Sequence, residues 1–470
     1  MEAGPADAAR VVAMIIESEF SNAVLADLSQ LGLVSRKGET GKIETSVLEP
    51  DLLLFSRLLS EYAPRLVPVS RPGCPVYFCT GLLKSQDAAN LKVGREHPAI
   101  PAGGQGGTLA GAALGCLGEL SERLSLYSFG GADSRVVEVD QKQPQVDFAP
   151  LLGLSENQAN IASRDLGIRV QGTNKRTSDW SSLSDRRIQL RNLQTGETAQ
   201  CLSLGVLFQE IDGPTGRRLP FASSVGCAVW HDREGARRRA LLELVERDAV
   251  AQAWYNRLGI TFLPKGLLHE ILPPELTHYL NDQPRAWGLY HVDTDLAVQV
   301  VMAVSHDGHG GGCAFGSSAG WDIAQASVSA LQEMLQSENA LTLMNKAYPV
   351  TGTAEEAPKQ PPRQLAYARE RVIFDDLPLK KATALSESAA LRAFSFEALL
   401  QSCFDHGIDL WEFDATRQDL GIPCMKLMSA ALCTWEPRFG KRRLFHGVVE
   451  RGLRQTPATE PEFAARPFPF

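Results

Sequence analysis

The chain has 470 residues, 44% of them hydrophobic and 22% charged, and carries a formal net charge of -8. This is the make-up of an ordinary globular protein with one large core or two to three domains, which needs no staples to fold. The acidic balance argues against a general nucleic-acid binder, whose affinity rests on basic surface.

The longest early apolar run, Val11 to Ile16, is too short for a signal peptide or a membrane span, so the protein is expected in the cytoplasm and not in a membrane. Val11 to Leu31 has helical spacing and stops near Gly32, Glu49 to Tyr62 reads as a second amphipathic helix, and Val76 to Cys79 as a short strand. Residues 1–95 thus read as a separate packing or docking unit ahead of a main domain, 96–470. The Pro and Gly cluster from His97 to Gly107 marks a turn, and Leu117 to Tyr127 has helical composition. Ile168 to Gln171 then alternates, Gly172 to Arg187 reads as a polar surface loop, and Leu202 to Phe208 is an apolar run. Ala240 to Trp254 is helical again, Ala297 to Ser305 reads as a central strand, Gly308 to Gly312 as a flexible turn, and Ile323 to Leu343 as a helix. Ala357 to Arg363 is a proline-rich exposed loop or disordered insert, and Ile408 to Asp414 and Ile422 to Met428 read as strands. Strands alternating with amphipathic helices give a mixed α/β chain of the α+β class. Arg237-Arg238-Arg239 and Lys441-Arg442-Arg443 read as solvated faces more readily than as phosphate clamps. The nine cysteines, from Cys74 to Cys433, show no repeated short spacing, so reduced thiols are expected rather than disulfides or a zinc site.

One pattern occurs twice. Glu119-Leu120-Ser121-Glu122-Arg123 returns as Glu243-Leu244-Val245-Glu246-Arg247. Carboxylates three apart share one helix face, and either pair alone reads as solvated surface. Brought together, the two faces would offer four acids to a cation. Each copy follows a stretch of small residues, Gly103 to Thr108 and Ser223 to Ala228, that reads as a turn through which backbone N–H groups approach a ligand such as phosphate. No Gly-Lys-Ser/Thr follows, so this is not a P-loop. A weaker third echo, Ala330 to Gln336, has Gln336 in place of the second acid, which keeps the acceptor without the charge. The last residues, Arg466-Pro467-Phe468-Pro469-Phe470, form either a frayed tail or an extended path pre-set by proline and anchored by two phenyl rings.

In this order the motifs resemble the YcaO family and, within it, the azoline-forming cyclodehydratases (heterocyclase subunits of the D-protein type) of ribosomal peptide biosynthesis, the microcin-like azole class. Gly104-Gln105-Gly106 through Glu119, Glu122 and Arg123 is similar to the first family motif, with Gln105 where Lys is usual. Ser224 to Gly226, Ala236 and Glu243 through Asp248 resemble the second, with Gly235 where an acid often stands. Ala330, Leu331, Glu333 and Gln336 resemble the third, and Asp414-Ala415-Thr416 with Gly421-Ile422-Pro423 a late segment.

The resemblance implies a YcaO-type fold with an Mg-ATP site between acidic helices of an internal pseudo-repeat. Glu119, Glu122, Glu243 and Glu246 would hold Mg2+. Gln105, Arg123, Ser224, Arg247, Glu333 and Gln336 would contact ATP, and Phe470 would deliver its terminal carboxylate for proton transfer. The implied reaction is attack by Cys, Ser or Thr of a precursor peptide on the preceding amide, transfer of the γ-phosphoryl group to the oxyanion, and loss of phosphate to give thiazoline or oxazoline. A thioamide- or amidine-forming YcaO enzyme and a non-catalytic scaffold subunit of the synthetase are the alternatives. The implied setting is a hetero-oligomer, with a dimeric YcaO subunit as one arrangement. Its companions would be a leader-binding protein resembling ubiquitin-activating enzymes and, for azole products, an FMN-dependent dehydrogenase.

Overall fold

The computed structural model describes residues 20–37, 42–45, 49–69, 71–83, 99–128, 133–165, 170–171, 177–178, 180–212, 217–218, 221–349, 360–380 and 391–470. Residues 11–19 of the first expected helix, 97–98 of the Pro and Gly cluster, 168–169 of the first alternating stretch, 172–176 and 179 of the expected loop and 357–359 of the proline-rich stretch lie outside them.

In chain order, α1 (Asn22–Gln30), capped by Ser21, leads to β1 (Val34–Lys37) and β2 (Lys42–Thr45), then α2 (Glu49–Leu54), a π-helical turn at Leu58–Tyr62, β3 (Arg65–Val69) and β4 (Tyr77–Leu83). β4 is flanked antiparallel by β3 and by β5 (Ile100–Gly106), which enters α3 (Leu109–Leu126). Residues on both sides of position 95 therefore share a sheet. They also share a core, in which Leu28, Leu58 and Leu66 pack with Ala113, Leu117 and Leu120.

Next come β6 (Arg186–Asn192), β7 (Thr198–Leu202), β8 (Cys227–Val229) and α4 (Arg233–Asn256). β9 (Thr261–Phe262), β10 (Ala286–His291), β11 (Gln299–His306) and β12 (Ala314–Gly320) follow, then α5 (Ile323–Ala347), β13 (Trp411–Asp414) and β14 (Cys424–Met428). β9 to β12 form one sheet in that order, with β11 interior as expected. A seven-stranded sheet contains β8, β14, β13, β6 and β7 as consecutive neighbours. α4 lies between β8 and β14 on one side and β12 on the other, while α5 covers β12 and β11. Sheets and helices together make the mixed α+β fold expected of the sequence.

Three expectations change. The glycine run before the first acidic helix is not a turn but strand β5, and α3 begins at Leu109 rather than Leu117. A Cβ on Gly104 would fall within contact distance of the Ala112 carbonyl and the Cys116 amide, and one on Gly316 of β12 would meet the Ala330 carbonyl and the Met334 amide. These glycines let a strand lie directly on a helix backbone, a close approach within the fold. The expected loop ending at Arg187 already contains the start of β6. The basic run at 441–443 is not a solvated face. The Lys441 ammonium is buried and donates to the carbonyls of Pro150 (2.7 Å), Leu151 (3.0 Å) and Ser429 (2.5 Å). Arg443 bridges Asp248 (2.9 Å) and Asp295 (2.7 Å), and Arg442 alone is exposed, against Glu450. All nine cysteines are free thiols.

Candidate active site

α3, α4 and α5 start alike. Their N-cap side chains, Thr108, Asp232 and Asp322, accept from the backbone N–H of Gly111 (3.0 Å), Gly235 (2.7 Å) and Gln325 (2.8 Å), three residues on. From those caps, Glu119, Glu243 and Glu333 each lie eleven positions along, and Glu122, Glu246 and Gln336 fourteen. Eleven residues are about three turns, so all three helices present their polar pair at the same height and on the same face. In each unit the strand segment ahead of the helix holds the first acid. The Gly103 N–H donates to Glu119 Oε2 (2.8 Å), the Ser317 N–H to Glu333 Oε2 (3.2 Å), and the Gly226 N–H to Glu243. The weak third echo is thus a complete structural repeat.

The units interlock through their polar ends. Arg123 pairs with Glu119 and donates to the Pro101 carbonyl. Arg247 pairs with Glu243 (3.3 Å) and Glu246, whose Oε1 also accepts from Ser317 Oγ of β12 (2.6 Å). The Gln336 amide of α5 lies over Gly103, whose N–H holds Glu119.

All eleven residues named from the sequence line one cavity of about 1070 Å3: Gln105, Glu119, Glu122, Arg123, Ser224, Glu243, Glu246, Arg247, Glu333, Gln336 and Phe470. Burial raises the pKa of Glu122, Glu243 and Glu246, and neighbouring carboxylates raise Glu122 and Glu243 further, whereas Arg247 partly offsets the rise at Glu243 and Glu246. Glu333 is pushed up to about 8, by burial first and then by the charge of Glu246. A wall of crowded acids short of positive charge is chemically suited to a divalent cation, and its all-oxygen donor set suits Mg2+. Among the described residues no three His, Cys, Asp or Glu side chains converge on a single point.

Several wall residues carried no signal in the motifs. Asp51, Leu54 and Phe55 come from α2 and the residue after it, and Asp51 pairs with His231 Nε2 (3.0 Å). The arginine run 237–239 splits three ways, and only Arg237 departs from a solvated face. Arg237 pairs with Glu412 and Arg238 with Glu234, while Arg239 faces the cavity with its guanidinium 3.6 Å over the Trp230 ring. That ring occupies the space a side chain at Gly235 would need. Lys426 of β14 is 2% exposed and donates to the carbonyls of Ser223 (2.5 Å) and Val225 (2.9 Å), holding the loop that presents Ser224. A lone lysine inside the apolar stretch Ile422 to Met428 was the signal available for it.

The tail takes the anchored path of its two readings. The Trp254 indole N–H donates to the Arg466 carbonyl (3.0 Å), Phe468 is buried, and the Phe470 ring stacks on Phe315 (5.1 Å between centroids) at the cavity.

Residues 103–433 match the family model described as YcaO cyclodehydratase, ATP- and Mg2+-binding. Comparison with curated proteins gave no match. Among solved structures, the chain is similar to one described as a heterocyclase in complex with substrate and cofactor (TM-score 0.67, 18% identity, 86% of this chain and 54% of that one). It is also similar to the heterocyclase TruD (0.54, 20%, 75% and 50%). A third likeness is to YcaO from Methanopyrus kandleri bound with AMPPCP and Mg2+ (0.52, 16%, 78% and 85%). The chain spans about half the length of the two heterocyclases, and at these identities the likeness is one of fold. No helix among the described residues is long and apolar enough to cross a membrane. With the family model covering most of the chain and three strand–helix units built alike, the protein belongs to the YcaO family of cyclodehydratases, whose cofactors are ATP and Mg2+.

Proposed function

We propose that the protein is an ATP-dependent cyclodehydratase forming thiazoline or oxazoline rings from Cys, Ser or Thr of a ribosomal precursor peptide. The observation that carries this reading is the meeting of Glu119/Glu122 and Glu243/Glu246, from two distant helices, in one cavity that Phe470 also lines. When bound, Mg2+ and ATP supply the neutralised phosphoryl group that converts a peptide carbonyl oxygen into a leaving phosphate. The four acids hold the cations, Arg123 and Arg247 bind phosphate oxygens, and Gln105, Ser224, Glu333 and Gln336 hydrogen-bond the nucleotide. Phe315 and Trp435 form an apolar wall that excludes water beside the reacting groups. The carboxylate of Phe470 takes the proton of the attacking side chain.

In this reading the protein works in a multisubunit assembly. Its companions are a leader-binding protein resembling ubiquitin-activating enzymes and, for azole products, an FMN-dependent dehydrogenase. Residues 1–95 dock to them, with α2 also closing the nucleotide cavity through Asp51 and Leu54.

Mass spectrometry of the precursor peptide after incubation with the assembled complex, Mg2+ and ATP tests this. Each ring lowers the mass by one water, and Glu119→Gln/Glu243→Gln abolishes the loss while the protein stays folded. Undiminished ring formation in that double variant assigns the protein to a scaffold role, and exchange of oxygen for sulfur assigns it to thioamide formation.

A further inference from the structure

Trp435 belongs to no motif in the sequence, yet its indole is a layer between the cavity and the tail. The Arg247 guanidinium carbon lies 3.6 Å over the ring. The Phe468 ring lies 4.7 Å from it, tilted by only 11°. A guanidinium and a phenyl ring at those distances cannot share one face, so they sit on opposite sides of the indole. Tyr255 ties the layers together, since its hydroxyl donates to the Trp435 carbonyl (2.7 Å) and accepts from the Phe468 N–H (3.3 Å). From the other end, the Cys433 N–H donates to Asp248 Oδ1 (2.8 Å). Arg247, Asp248 and Tyr255 all belong to α4, so one helix supplies the arginine and two fastenings of the loop that covers it.

Arg247 is held from two sides at once. Its ion pairs with Glu243 and Glu246 draw it down onto its own helix, whereas the flat indole face holds the guanidinium plane by cation–π attraction and contact area. The indole can keep that orientation only while something fills the space behind it, and Phe468 fills it.

We infer that Trp435 is a positioning residue for Arg247 and that Phe468 completes it, so that seating of the C-terminal segment sets the arginine at the phosphate end of the cavity. The inference rests on the proposed contact of Arg247 with nucleotide only for its consequence in binding; the coupling itself is a property of the chain. An ATP site assembled in this way is fully formed only when the tail that serves the peptide is in place.

The test uses the full chain with 15N-labelled arginine. The Nε–Hε resonance of Arg247, assigned with Arg247→Lys, carries the ring-current shift of the indole. It is expected to lose that shift in Trp435→Leu and also in Phe468→Ala, where Trp435 is untouched, and to keep part of it in Trp435→Phe. In calorimetry with Mg2+ and a non-hydrolysable ATP analogue, Trp435→Leu and Phe468→Ala each weaken binding about tenfold, and the double variant is no weaker than Trp435→Leu alone. An unmoved Arg247 resonance in Phe468→Ala overturns the inference, as does an additive loss in the double variant. Should the unaltered protein bind no nucleotide, the functional reading falls instead, and the resonance still decides the coupling.

Discussion

Glu119 and Glu243 occupy the same place on α3 and α4, each held by a backbone N–H ahead of its helix and each paired with an arginine four residues on. Their surroundings differ. Arg123 keeps 37% of its side chain exposed and turns to the Pro101 carbonyl, whereas Arg247 keeps 15% and lies under Trp435. Glu246 is fastened to Ser317 of β12, in the middle of the molecule, while α3 packs against the N-terminal strands. One sequence pattern thus produces two equal ladders of acids, and the neighbours decide how strongly each acts. Charges in the drier, more enclosed copy interact more strongly than those at the open one.

The sharpest way to break this comparison is to remove the two arginines in turn. Arg247→Ala is expected to lower kcat/KM for ring formation by about 100-fold or more, in the range seen when a preorganised charge stabiliser is lost. Arg123→Ala is expected to cost about tenfold, because solvent substitutes for an exposed cation. Steady-state kinetics on the precursor peptide checks both, and equal losses would make the difference in burial irrelevant to catalysis.

What the repeats share can be tested as stability. Gly104→Ala and Gly316→Ala push a methyl group into the backbone of α3 and α5 and are expected to cost about 1–3 kcal/mol each. Gly107→Ala meets nothing and is expected to change the denaturation midpoint little. Similar losses at the first two sites confirm one strand-on-helix contact used twice.

Smaller effects come from pH. Glu333 titrates near 8 in the fold against an ordinary value of 4.5. Between these values the folded state keeps a proton that the unfolded state has lost, so the stability of the ligand-free protein falls as pH rises from 4.5 to about 8. Burial also raises the pKa of Glu122, Glu243 and Glu246, so Mg2+ competes with their protons and its affinity rises with pH. Thermal unfolding with and without Mg2+ over this range checks both signs, and Glu333→Gln flattens the ligand-free trend. The least effect belongs to Arg238→Ala, which removes an exposed pair with Glu234 and is expected to shift stability by under about 0.5 kcal/mol. Its neighbour Arg239→Ala, at the cavity wall, weakens nucleotide binding instead.

The sequence by itself determined the helices that carry the acids, the interior strand β11, the late strands β13 and β14, and the doubled pattern, because periodicity and repeated side-chain chemistry are local properties. It also held more than the motifs showed. The caps Thr108, Asp232 and Asp322 stand at one fixed distance before Glu119, Glu243 and Glu333, a count that marks the third repeat as firmly as the first two. Strand β5 stayed hidden because glycine has no side chain to announce a strand, and its reason for being glycine is the backbone of α3 across from it. Lys441 and Arg443 read as surface because partners such as Pro150 and Asp248 lie far along the chain, and the partners of Lys426 lie in a loop some two hundred residues earlier. Only the tertiary structure decided which charges are buried, which ring covers Arg247 and which segments close one cavity, since burial arises from contacts between distant stretches and no local pattern encodes it.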